Sequence, residues 1–127
     1  MRQESATDSA FWASLEILLQ DCPLVIDRPK GSVHPRFSGV FYPLDYGFLA
    51  GSTSQDGGGV DCWRGSKTGQ GIVGVVLTVD LMKKDVELKL LLDCSPEEIQ
   101  TVREFQSSGS MQAFVFPRPG KPDLDRT

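Results

Sequence analysis

The feature that most constrains this chain is the pair of apolar runs from Ile72 to Leu81 and from Val86 to Leu92. The first is rich in valine, isoleucine and leucine, whose side chains suit a pleated surface, and it predicts a strand. The second alternates at its start. Successive side chains of a strand point to opposite faces, so Asp85, Glu87 and Lys89 share one face while Val86, Leu88 and Leu90 share the other. Such a strand can line a polar site with one face and fill a core with the other.

The remaining pattern is of short strands and turns. Leu24 to Asp27 predicts a strand that ends at Pro29 and delivers Asp27 to the edge of the loop 30–35. Val40 to Tyr42 and Tyr46 to Ala50 suit strands around a proline-containing bend, Gly51 to Gly59 reads as a loop, and Val60 to Trp63 and Met111 to Phe116 read as further strands. Two helices are expected. Thr7 to Gln20 carries Phe11, Trp12, Leu15, Leu18 and Leu19 on one stripe, with Thr7, Asp8 or Ser9 as its cap, and predicts a lid on a barrel or a subunit contact. Ser95-Pro96-Glu97-Glu98 fits a capping box, and Ile99, Val102 and Phe105 give the helix behind it an apolar stripe. Many short strands and two helices predict a mainly β (α+β) fold, a small closed barrel formed by a single domain over residues 1–116. The prolines and mixed charge of 117–127 predict a mobile tail.

Composition narrows the chemistry. At 127 residues the chain has room for one modest core, and its 39% hydrophobic and 24% charged residues are ordinary for a globular protein. No apolar run approaches the ~20 residues that span a bilayer, and the amino terminus lacks the basic-then-apolar order of a secretory signal, so a cytoplasmic protein is expected with no membrane role. The three cysteines are too scattered for a disulfide framework, and a single histidine makes a Cys/His zinc site improbable. Oxygen ligands are the plentiful ones. A net charge of -4 argues against a nucleic-acid partner, although metals bound to aspartates would still present positive charge to a small phosphate.

The chemistry-bearing stretch is Phe41-Tyr42-Pro43-Leu44-Asp45-Tyr46-Gly47, followed by Asp56-Gly57-Gly58-Gly59-Val60-Asp61. Two carboxylates separated by a glycine-rich loop can converge on one divalent cation, because glycine lets the backbone turn tightly around it. The order Tyr-Pro-x-x-Tyr-Gly, then Asp-Gly-x-x-x-Asp, then Asp80 and Asp85 resembles the soluble family I inorganic pyrophosphatases, over about Val25 to Val86. The resemblance implies an OB-like closed barrel and magnesium-dependent hydrolysis of inorganic pyrophosphate to two phosphates, with manganese as an alternative metal. It implies that Asp56, Asp61 and Asp85 hold the tightest metal, with Asp80 and Asp27 as further metal ligands. It also implies Tyr46 and Lys89 as catalytic residues, and Lys30, His34, Arg36, Tyr42 and Lys89 around the phosphates. The family forms compact oligomers, so a homo-oligomer is expected.

Several positions depart from that family. Its pattern is Asp-Gly-Asp-Pro-x-Asp, and Gly58 stands where the middle aspartate serves as general base. That base is worth typically 10²–10⁴ in rate, so a slow enzyme is expected. Glu87 replaces a lysine, with Lys89 one strand repeat further on, and a tyrosine-lysine pair of the C-terminal helix falls near Gln106 and Ser107. Asp45 or Glu87 are the acids near enough in sequence to substitute for the base. These departures leave two alternatives: a binding module that kept the fold but lost catalysis, or a hydrolase of another pyrophosphate-containing substrate. Gly69-Gln70-Gly71-Ile72-Val73-Gly74 spells a dinucleotide loop but precedes a strand, and Gly65-Ser66-Lys67-Thr68 lacks the spacing of a phosphate loop; both read as turns.

Overall fold

The computed structural model describes residues 6–120. Helix α1 (Ala6–Asp21) is followed by strands β1 (Leu24–Arg28), β2 (Asp45–Leu49), β3 (Asp61–Arg64), β4 (Ile72–Asp80) and β5 (Asp85–Leu92), then helix α2 (Pro96–Phe105) and strand β6 (Met111–Pro117). The strands form one mixed sheet in the order β1-β2-β3-β5-β4-β6. β3 and β5 run parallel and every other neighbouring pair runs antiparallel.

The sheet is open, with β1 and β6 at its edges, which corrects the expectation of a closed barrel. Closure would require the two edges to exchange backbone hydrogen bonds. The outer side of β6 is blunted instead: the Ala113 N–H is taken by the Ser107 hydroxyl, and Pro117 has no N–H to give. β1 stops just short of Pro29, and its register against β2 slips between Ile26 and Arg28. Gly47 lies at that slip, where a Cβ would run into the carbonyl of Val25, so the close approach of β1 and β2 depends on glycine.

Each face of the sheet is covered by one helix. α2 packs Ile99 and Val102 with Trp63, Val76, Leu91 and Val115. α1 packs Trp12, Leu15, Leu18 and Leu19 on the opposite face, against Leu49, Cys62, Ile72, Val75, Leu90 and Leu92. The expected apolar stripe of α1 is used except at Phe11, which is 48% exposed, and the helix covers the sheet face opposite the polar face of β5. Thr7, Asp8 and Ser9 lie inside a helix already begun at Ala6, so none of them is its cap. Glu16 anchors α1 to the sheet by accepting from the Ile72 N–H at 2.9 Å and from Arg118 at 2.7 Å. Arg118 also lies 6.0 Å over the Trp12 ring, so the chain just beyond β6 is held against the body and the expected tail does not begin at Pro117. The rest of that tail, 121–127, lies outside the described residues.

The strand expected over Val40 to Tyr42 is reduced to one bridge, between Val33 and Phe41. Its backbone groups pair within their own loop: His34 N–H with Val40 C=O, Tyr42 N–H with Ser32 C=O, and Gly31 N–H with Tyr42 C=O. The 29–42 segment thus closes on itself instead of joining the sheet. Among the described residues no helix is long and apolar enough to cross a membrane.

Candidate functional site

The face of β5 that carries Asp85 and Glu87 opens onto a pocket of about 560 Å³. Its other wall is the loop ahead of β3, which supplies Asp56, and the first residue of β3, Asp61. Four carboxylates thus face one space, with Lys84 also on its lining.

Two of these carboxylates, Asp61 and Glu87, share a buried cation. Lys89 lies opposite Asp61 in the parallel β3–β5 register, and its side chain is only 6% exposed. Its ammonium donates to Glu87 Oε1 at 2.6 Å and to Asp61 Oδ2 at 3.5 Å, and stands 5.9 Å over the Tyr46 ring. A buried ammonium is costly unless its hydrogens find acceptors, and the two carboxylates supply them. The Tyr46 hydroxyl is hydrogen-bonded to Asp61; burial, reinforced by the negative charge of Asp61, pushes its phenol well above the usual range. It therefore stays protonated, a donor to Asp61 rather than a base.

Asp56 is organised by its own loop. Its Oδ1 accepts from the Ser54 hydroxyl and from the Gly58 N–H at 2.9 Å, and these bonds hold its carboxyl below the ordinary carboxylate value. Gly58 has no positive φ, and a Cβ there would meet only Asp56 Oδ1, at 3.4 Å. Asp85 is paired with Lys83 at 3.4 Å, and Lys83 also reaches Glu87 at 3.9 Å. The charges of Glu87 and Asp85 hold the Lys83 ammonium above its usual pKa.

Asp80 stands opposite Asp85 in the β4–β5 register, yet it does not line the pocket. Its Oδ1 accepts from Ser110 at 2.8 Å, Met82 N–H at 3.0 Å and Lys83 N–H at 3.2 Å, so it caps the β4–β5 turn. Those three donors, Ser110 first, lower its pKa. Asp27 is also apart from the pocket, 3.8 Å from Arg28.

Of the phosphate-side residues named from the sequence, Lys30, His34, Arg36 and Tyr42 lie in the 29–42 loop, and neither they nor Lys89 on β5 line the pocket. The Lys30 N–H donates to Asp45, which also pairs with Arg64 at 2.9 Å; these bonds lower the Asp45 pKa and commit it to the loop, which removes it as a substitute base. The Arg36 N–H donates to His34 Nδ1. His34 stacks on Tyr42 at 5.7 Å, and Tyr42 stacks on Tyr46 at 5.6 Å, so a column of rings connects this loop to Lys89. Tyr42 is buried in the α2-side core. Gln106 accepts from the Trp63 indole at 3.3 Å and Ser107 caps β6, so both are occupied structurally. Lys83 and Lys84 were missed in the sequence as neighbours of the acids, although the spacing of Lys83, Asp85 and Glu87 carried the signal.

Hard oxygen donors are the chemistry that magnesium or manganese selects, and the donor set of the pocket fits such a cation in kind. Its arrangement is looser. Among the described residues no three acidic, histidine or cysteine side chains stand at ligand spacing, each acid being engaged by a lysine, a hydroxyl or a backbone N–H. Closing them on one ion requires Asp56 and Asp85 to exchange those partners for it.

No protein-family profile matches the chain, and no curated protein is similar to it in sequence. Solved structures do match. The inorganic pyrophosphatase from Thermus thermophilus superposes with a TM-score of 0.54 and 20% identity, covering 80% of this chain and 84% of that one. An inorganic pyrophosphatase from Neisseria gonorrhoeae gives 0.56 and 17%, covering 81% and 88%. The enzyme from Helicobacter pylori gives 0.50 and 16%, covering 80% and 86%. At these identities the likeness is one of fold, and the chain has the fold of the bacterial inorganic pyrophosphatases.

Proposed function

We propose that this protein is a slow, magnesium-dependent hydrolase of inorganic pyrophosphate. The observation that carries the reading is the convergence of Asp56, Asp61 and Asp85 on one pocket, in a fold shared with bacterial inorganic pyrophosphatases. Asp56, Asp61, Asp85 and Glu87 are the residues that would hold the cation, with manganese as an alternative. When bound, the cation supplies positive charge to phosphate oxygens and acidifies water.

The chain's own residues do the rest. Lys89 and the Tyr46 hydroxyl fix Asp61 in place, so that one ligand is preorganised while Asp56 and Asp85 adjust. Lys84 on the pocket lining and Lys83 beside Asp85 partly offset the four carboxylates that an incoming anion would face. Gly58 leaves no carboxylate to accept a proton from the attacking water, and the loss of a general base lowers the rate by about 10²–10⁴. Rate enhancements for phosphate hydrolysis are far larger than that, so turnover survives.

A second reading is a binding module that kept the fold without catalysis. It is favoured by Lys89, which is tied to Glu87 instead of being free for a phosphate. Phosphate release from pyrophosphate with millimolar magnesium, measured beside Asp61→Asn, separates the two. Release that disappears in the variant supports the enzyme, while equal traces from both proteins would favour the binder.

A further inference from the structure

The cations around the pocket differ in how firmly the fold holds them. Lys89 is 6% exposed with its ammonium 2.6 Å from Glu87 Oε1, and a buried ammonium that gave up its acceptors would be left unpaired. Lys83 is the opposite case. Its side chain is 62% exposed, and its ammonium spans Asp85 Oδ2 at 3.4 Å and Glu87 Oε2 at 3.9 Å, two carboxylates on one face of β5. The turn beneath it is fixed. Asp80 accepts from the Met82 and Lys83 N–H groups, the Leu81 N–H donates to the Ser110 carbonyl at 3.0 Å, and Lys84 takes a φ of 57°, which residues other than glycine rarely adopt. The backbone therefore presents Lys83 to the acids of β5, while its long side chain can swing away into solvent.

We infer that Lys83 is a tethered counter-cation of this pocket, which occupies Asp85 and Glu87 and yields them to a divalent cation, so that the pocket loads at a higher metal concentration than it would without the lysine. The inference rests on the reading of the pocket as a magnesium or manganese site. It goes beyond that reading by giving a part to a residue outside the pocket lining.

Lys83 is the group placed to yield. An exposed lysine–carboxylate pair shifts an equilibrium by at most about fivefold, so its two contacts can be broken by a ligand of higher charge. On release the side chain regains the rotamer freedom that the pairs restrict. The turn does not have to move, because Asp80 holds the Lys83 N–H and not its ammonium. The tether also keeps the ammonium close to the acids at every protein concentration, an advantage that a free monovalent ion lacks. The competition is confined to the β5 wall. Asp56, on the other wall, is held by Ser54 and the Gly58 N–H, and Asp61 by Lys89.

Titration of the full chain with Mn²⁺ alone, followed by the electron paramagnetic resonance signal of the free ion at neutral pH and about 0.1 M ionic strength, tests this. Lys83→Gln is expected to bind Mn²⁺ about fivefold tighter than the wild type, and Lys83→Arg, which keeps the charge, close to the wild type. Lys67→Gln removes a charge from the turn after β3 and controls for net charge, with an expected change of less than about twofold. Every variant keeps the N–H that Asp80 accepts, so the turn is retained. Equal affinity of the wild type and Lys83→Gln, an equal gain in Lys67→Gln, or an arginine variant as tight as the glutamine one would overturn the inference and leave the metal reading standing. Asp61→Asn checks that the ion sits in the pocket. Mn²⁺ held equally well by that variant, or by none of the proteins, would overturn the metal reading and the inference with it.

Discussion

Gly58 lies beside the pocket carboxylate Asp56, which is already held by two hydrogen bonds, one of them from the Gly58 N–H. Its φ is ordinary and the only neighbour within reach of a Cβ is Asp56 Oδ1, so Gly58→Asp introduces a carboxylate without backbone strain. Phosphate release from pyrophosphate in this variant is expected to rise at least tenfold, toward the ~10²–10⁴ range of general-base help. Initial rates at saturating magnesium measure it, and an unchanged rate would mean that the loop does not aim position 58 at the substrate. The thiols give a second prediction at this scale. Burial pushes the Cys94 thiol up to about 12 and raises that of Cys62 as well, so neither presents a thiolate near neutral pH, while Cys22 is only partly buried. One thiol per chain should react with an aromatic disulfide reagent in the native protein and all three in denaturant. Spacing across a glycine-rich loop suggested that Asp56 and Asp61 could converge, the family resemblance added Asp85, and all three line one pocket. Asp80 was not separable in this way, since an aspartate before a tight turn has the same spelling whether it serves as a ligand or accepts the turn's N–H groups, as it does here.

The start of α2 is where one side chain joins the most elements. The Ser95 hydroxyl accepts from the Glu98 N–H while Glu98 accepts from the Ser95 N–H, the reciprocal pair read from the sequence. Glu98 also accepts from the Ser66 N–H at 3.1 Å, which fastens the turn after β3 to the helix. Glu98→Ala leaves those N–H groups without their acceptor and should cost about 1–2 kcal/mol. At this chain length that is a drop in Tm of roughly 3–10 °C by calorimetry, with little effect on phosphate release because the pocket is formed by other elements. An unaltered Tm would show that water replaces the carboxylate fully. The same helix shows why some elements were legible. A capping box and an apolar stripe are local signals, as is the alternation of β5, and each survives folding unchanged. Closure of the sheet is not local: alternation reports that a face is buried but not whether the outer strands meet. The stripe of α1 likewise reports that it packs, while the choice of sheet face depends on long-range contacts such as Glu16 with Ile72 and Arg118.

For the molecule as a whole, the placement of its ionisable groups limits folding on both sides of neutral pH. Asp45, Asp56 and Asp80 are each held below the ordinary value by donors fixed in the fold. Burial opposes the same effect at Glu98, where the Ser95 and Ser66 donors prevail and also lower the pKa. A carboxyl with a depressed folded pKa adds stability that is fully present above its unfolded value and is lost as pH falls through the folded one. Stability should therefore decline as pH drops below about 4, beyond the effect of protonating the surface carboxylates. The alkaline side has the opposite sign. Tyr46 is raised by burial and by Asp61, so the unfolded chain releases its phenolic proton first, and stability falls as pH rises above about 10. A plot of Tm against pH should be a plateau between these limits. Asp61→Asn, which removes the charge beside Tyr46 while leaving its burial, should soften the alkaline fall and leave the acid limb in place. An alkaline limb unchanged in that variant would assign the shift of Tyr46 to burial alone.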